Sequence, residues 1–222
     1  MPGVIPTEAF RYKVRSIPWF PLVVAALLAT LIVTARHGHD AALPLQGVSI
    51  ALASGFGYAL DDPAFEIFAA STDPLLRRRL ERLAIVVLPT VALWMMLLVW
   101  QGTAGPEETW ALAAMFAGLL GLSLGIAGAA SLRSSRGRGG IAVAPILFAT
   151  LVLSTVLTPR WRPLPLGDIP GGWSPIYVRW TAACVVGMLV FLFSSKDPAR
   201  RGPRSLRNDR DRVISRADSS RA

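Results

Sequence analysis

Three places in the sequence hold residue types that could do chemistry. Residues 36–40 run Arg-His-Gly-His-Asp, so His37, His39 and Asp40 could together ligate a metal ion. A five-residue turn gives such an ion no closed pocket and no groups behind the imidazoles to orient them, so a plain polar turn is the simpler assignment. Gly121-Leu122-Ser123-Leu124-Gly125 matches G-x-S-x-G as a string. A nucleophilic serine of that kind needs a strand–turn–helix setting and a histidine base. Ser123 instead lies inside an uncharged apolar run, and neither histidine falls in any such run, which excludes a hydrolase elbow and an intramembrane serine protease alike. Cys184 is the single cysteine and has no intrachain partner for a disulfide. No G-x-x-x-x-G-K-[ST] is present, so ATP cannot be held here through a P-loop. The expectation is a chain that is not an enzyme, with no catalytic, metal or cofactor-binding residue of its own.

The elements around these residues are apolar. Of 222 residues, 53% are hydrophobic, and they cluster into six runs: 19–35, 42–60, 83–100, 109–132, 141–158 and 176–195, the last carrying Arg179 near its start. Runs of about 18 uncharged residues suffice for a helix to cross the ~30 Å hydrocarbon layer. The sequence therefore predicts an all-α, multi-pass protein of the cell membrane with six spans and both termini cytoplasmic. Run 42–60 is the weakest span, because it includes Pro44, Gln46, two serines and three glycines. Charge placement supports it. With six spans, segments 1–18, 61–82, 133–140 and 196–222 share one side and hold 19 of the 23 Lys and Arg. Cytoplasmic loops retain these residues, so that side is the inner one. Cleavage as a signal peptide after Val33-Thr34-Ala35 would leave an odd number of spans, and the first run is long for that role.

Three domains follow: segment 1–18, a six-helix unit over 19–195 and the basic tail 196–222, which reads as disordered. Phe10, Val14 and Ile17 fall at i, i+4 and i+7 beside Arg11 and Arg15, which suits a short helix in the headgroup layer, or a plain basic lead-in. In run 109–132, Ala117, Gly121, Gly125 and Ala129 recur every four residues, and small residues so spaced let a second helix approach closely. A helix of the same chain is the expected partner, with a second copy or a moving element as alternatives. Segment 159–175 is rich in proline and glycine. Trp161, Trp173 and Trp180 there and just beyond suit the water–lipid boundary, with a re-entrant cap as the alternative. The high pI lacks aromatic interleaving or a recognisable module, so no nucleic acid is expected. No ionisable residue sits in the middle of a span, which counts against an ion-coupled carrier.

The interruption at 61–82 carries more information. Asp62-Pro63 is a helix-start signal, in which the carboxylate caps free N–H groups and proline takes the first helical position. Phe65, Phe68 and Ala69 then form an apolar edge. Thr72-Asp73-Pro74 repeats the signal, and Arg77, Arg78, Arg79 and Arg82 lead into the third run. Anchoring by positive charge accounts for the arginines but not for a separately capped helix with two phenylalanines.

Leu60-Asp61-Asp62-Pro63-Ala64, Ala69-Ala70-Ser71-Thr72-Asp73-Pro74 and the arginines from Arg77 to Arg82 together resemble the loop after span two in ABC-2-type transporter permeases, in particular those of actinobacteria. The segment before the first run also looks like that family's N-terminal connecting helix. The resemblance implies a six-span permease, working with a second copy or a related permease and driven by a separate ATPase subunit, with export the expected direction. It further implies that the 61–82 loop is the coupling helix, so that Asp62, Pro63, Phe65, Phe68, Arg77, Arg78 and Arg82 would meet the ATPase. One departure is segment 159–175, where family members often carry a larger helical hairpin. The alternative is a membrane scaffold that recruits a cytoplasmic partner without transporting anything.

Overall fold

The computed structural model describes residues 14–15, 17–35, 42–58, 61, 75–102, 105–133, 139–157, 164 and 174–195. All regular structure among them is helical. Six α-helices can be bounded among the described residues: α1 Trp19–Ala35, α2 Ala42–Gly57, α3 Leu75–Gln101, α4 Pro106–Arg133, α5 Val143–Val156 and α6 Ser174–Ser194, with a 3-10 turn, Gly140–Ala142, leading into α5.

Three of these helices, α3, α4 and α6, are long and apolar enough to cross a membrane. With 27, 28 and 21 residues they extend about 40, 42 and 31 Å at 1.5 Å per residue. The other three are apolar but shorter. At 17, 16 and 14 residues, α1, α2 and α5 reach about 25, 24 and 21 Å. Run 42–60 thus yields a helix that ends at Gly57, and run 141–158 opens with a 3-10 turn rather than an α-helix.

The α3–α4 connection follows from its residues. Gly102 adopts φ 76° and donates its N–H to the Leu98 carbonyl at 3.0 Å, closing α3 in the left-handed conformation that glycine tolerates best. Pro106 then opens α4, with Glu107 and Glu108 in the first turn, where the helix dipole favours acids. Pro89 lies inside α3 and breaks one backbone bond there, while the Thr90 hydroxyl donates to the Val86 carbonyl at 2.8 Å.

Helices α2 and α4 form the middle of the bundle. α4 packs along α6 over most of its length, and α2 touches α1, α3, α4 and α5. The composition that makes 42–60 a weak span reflects this position, because a helix surrounded by protein can carry polar groups that lipid would not accept. Gln46 and Ser49 are both buried. The Ser49 hydroxyl donates to the Leu45 carbonyl at 2.8 Å and accepts the Trp94 indole N–H at 3.0 Å. Trp94 in turn stacks on Phe116 of α4, with ring centroids 4.7 Å apart. The outward residues Leu88, Val99, Phe148 and Phe193 are exposed and apolar, as a lipid-facing surface requires.

Candidate functional site

The α4–α6 contact uses small residues, though not the strict four-residue row. Gly118, Gly121, Gly125 and Gly128 face α6, whereas Ala117 and Ala129 are exposed. A β-carbon on Gly121 would stand 2.8 Å from the Cys184 Cα, and one on Gly125 would stand 2.9 Å from the Gly187 carbonyl oxygen. The partner is therefore a helix of the same chain. Trp180, expected at the water–lipid boundary, is instead buried against Gly118.

Ser123 has a structural partner. Its buried hydroxyl donates to the Ala53 carbonyl of α2 at 2.7 Å, tying the two central helices together. Among the described residues, no group of three or more His, Cys, Asp or Glu could hold a metal ion. His37, His39 and Asp40 lie outside the described residues, as do Phe10, Trp161, Trp173 and the tail 196–222. Of segment 159–175, Leu164 is described: it is buried, and its N–H donates to the Ser154 hydroxyl at 3.1 Å.

The most developed polar arrangement lies where α2 ends and α3 begins. Asp61 is buried three residues after Tyr58, and its N–H returns to the Tyr58 carbonyl at 3.0 Å. Its Oδ1 accepts the N–H groups of Gly139 and Gly140, both at 2.7 Å. These are free donors at the entry to α5, so a carboxylate at the end of one helix caps the start of another. Gly140 permits the approach, since a β-carbon there would sit 2.6 Å from the Tyr58 Cα.

Arg79 reaches across the bundle from the second turn of α3. Its Nη1 donates to the Ser195 hydroxyl at 3.0 Å and its Nη2 to the Ser131 hydroxyl at 2.6 Å, joining the ends of α6 and α4. The Ser131 hydroxyl in turn donates a hydrogen bond to the Gly128 carbonyl at 2.7 Å. Arg79 is only 6% exposed, so its charge needs hydrogen-bonding partners inside the bundle. One turn further on, Arg82 Nη1 donates to the Asp61 carbonyl at 3.0 Å, which ties the two sides of the 62–74 connection to each other.

The sequence-derived docking residues divide here. Asp62, Pro63, Phe65 and Phe68 lie outside the described residues. Arg77 is exposed and pairs with Glu81 at 3.3 Å, an i,i+4 surface pair of small energetic value. Arg78 is half-buried, and Arg82 holds the Asp61 carbonyl. Sequence reasoning gave Arg77, Arg78 and Arg82 a docking role and Arg79 none of its own, and missed that Arg79 turns inward. The signal was present: Arg79, Val86, Thr90, Trp94 and Leu97 follow a 7, 4, 4, 3 spacing along one face, and all are buried.

A groove of about 720 Å³ runs between α1, α2 and α5, lined by apolar residues such as Phe20, Leu28, Ile50 and Phe148, with Tyr58 near one end. Comparison with protein-family models, with curated proteins and with solved structures finds no match for the chain.

Proposed function

We propose that this chain is the membrane-spanning permease subunit of an ABC-type transporter, an exporter powered by a separate ATPase that docks on the 61–82 loop. It crosses the cell membrane six times, keeps both termini in the cytoplasm, and works beside a second copy or a related permease. One observation carries the reading. Asp61, Arg79, Ser131, Gly139 and Ser195 meet at one end of the bundle, and these residues bound the 61–82, 133–140 and 196–222 segments. A six-span path needs those segments on one side, and they hold 16 of the 23 basic residues. The ATPase is inferred from the motif resemblance over residues 60–82 and from the lack of a P-loop on this chain.

The test is co-expression with an ATPase encoded by the neighbouring reading frame, followed by purification from the membrane. A complex whose ATP hydrolysis depends on the permease supports the transporter. A partner that binds the loop but hydrolyses no nucleotide turns the reading to a membrane scaffold.

A further inference from the structure

The groove between α1, α2 and α5 is polar at one end only. A β-carbon on Gly55 would stand 2.7 Å from the Ala25 side chain, and one on Gly57 would stand 2.6 Å from Val143. The start of α1, the end of α2 and the start of α5 therefore meet, beside Asp61, whose N–H returns to Tyr58. From Tyr58 to Gly47 the groove follows α2 for about 16 Å at 1.5 Å per residue. Leu28, Ile32, Ile50, Ala51 and Leu151 make its deeper part apolar. Ser54 and Tyr58 supply hydroxyls at the near end, four residues apart and so on one face of α2. Both residues are half-buried, and neither hydroxyl has a hydrogen-bond partner among the described residues. Ser49 and Ser123, which face protein rather than the groove, each have one. Arg15 stands exposed just outside the same end. There the Trp19 indole N–H donates to the Val14 carbonyl at 2.7 Å and holds residues 14–15 against the first turn of α1.

We propose that this groove holds one bilayer phospholipid with an anionic headgroup. Its acyl chain lies along α2 toward Gly47. The Tyr58 and Ser54 hydroxyls donate to its ester or phosphate oxygens, and Arg15 attracts its headgroup. The occupant is a resident lipid rather than cargo, so the inference goes beyond the transporter reading and does not rest on it. The volume of about 720 Å³ lies within the range of roughly 300–1,000 Å³ usual for small-molecule sites. An acyl chain enters from hydrocarbon, not from water, so its burial alone gives little preference for the groove over the bilayer. Retention is decided at the polar end. A hydroxyl without a partner is costly in hydrocarbon, and ester and phosphate oxygens are the acceptors a lipid brings there. A basic residue beside the membrane surface favours anionic over zwitterionic headgroups. A wholly apolar molecule would leave both hydroxyls unmet, and a polar solute would leave the apolar wall bare.

The experiment places the full chain in nanodiscs of equal parts phosphatidylglycerol and phosphatidylcholine. A trace of phosphatidylglycerol with a diazirine on its acyl chain is crosslinked by light, and the labelled residues are mapped by peptide mass spectrometry. Labelling at 47–51 and 148–151 should exceed that of the exposed lipid face at 185–193 by about tenfold. In Gly47→Leu the new β-carbon meets nothing closer than Ile32 at 3.6 Å, so the side chain fills the groove without disturbing the packing. It should abolish the excess while labelling at 185–193 persists. Should that variant fail to fold, Tyr58→Phe and Ser54→Ala each delete one hydroxyl and should lower the excess about fivefold, the scale of one hydrogen bond. Arg15→Gln should reduce the advantage over a matching phosphatidylcholine probe, also about fivefold. Groove labelling equal to that at 185–193 and unmoved by these variants means annular lipid only, and overturns the proposal. An unlabelled groove in a protein that runs as a dimer overturns it too, because a second copy then covers the site.

Discussion

The indole N–H of Trp94 donates to the hydroxyl of Ser49 across 3.0 Å, joining α3 to α2 inside the apolar bundle. Both residues are buried, so the bond has no competing water. Ser49→Ala leaves the indole donor without that acceptor and should cost about 1–2 kcal/mol, as expected for polar contacts between membrane helices. Trp94→Phe removes the donor as well, so the double variant should lose less than the sum of the singles. Thermal unfolding in detergent, read by tryptophan fluorescence or by aggregation onset, checks both. Strictly additive losses would mean that the bond contributes nothing.

A second prediction contrasts two rows on α4. Gly125→Leu drives a side chain into the Gly187 backbone and should lower the yield of monodisperse protein, with a penalty of about 1–3 kcal/mol or more. Ala117→Leu and Ala129→Leu point outward and should leave size-exclusion profiles unchanged. Normal behaviour of Gly125→Leu would sink the α4–α6 packing described above.

The contrast explains what could be read from the sequence and what could not. The existence and order of the helices were legible from apolar runs. The packing face was not. A row at strict four-residue spacing turns about 40° per step on a helix of 3.6 residues per turn, so it cannot hold one face for long. The face that meets α6 alternates steps of three and four, through Gly118, Gly121, Gly125 and Gly128. Arg79 was hidden differently. Composition accounts for a cluster of arginines by charge alone, whereas burial selects the one on the Trp94 face. Asp61 was legible as part of the Leu60–Ala64 motif, but its capping role was not, since its partners lie 78 and 79 residues further along the chain.

A third prediction concerns topology. Reporter fusions at residues 70, 136 and 210 should report cytoplasm, and fusions at 39, 105 and 168 the outside. The Asp61 cap on Gly139 and Gly140 puts the segments that hold residues 70 and 136 on the same side. Opposite signals at those two positions would contradict the structure itself. Matching signals on the outer side would keep the fold and remove the cytoplasmic coupling loop.

The last prediction tests docking on that loop. Phe65 and Phe68 are three residues apart, so on a helix starting at Pro63 they share a face that an ATPase cleft could bury. Burying each phenylalanine contributes about 1.5–3 kcal/mol, so replacing both with Asp should weaken binding by roughly 10²–10⁴-fold. Membrane yield should stay near wild type, because neither residue lies in an apolar run. Arg79→Ala should do the opposite, lowering yield because it leaves Ser131 and Ser195 unbridged in a buried site. Arg77→Ala, losing only an exposed pair with Glu81, should change little. Co-purification of the ATPase, measured beside membrane yield for all three variants, separates docking from folding. If the Phe65→Asp/Phe68→Asp protein retains the ATPase at wild-type strength, the apolar edge is not the docking surface. The hydrogen bonds of Asp61 and Arg79 would then serve the bundle's own stability rather than a partner.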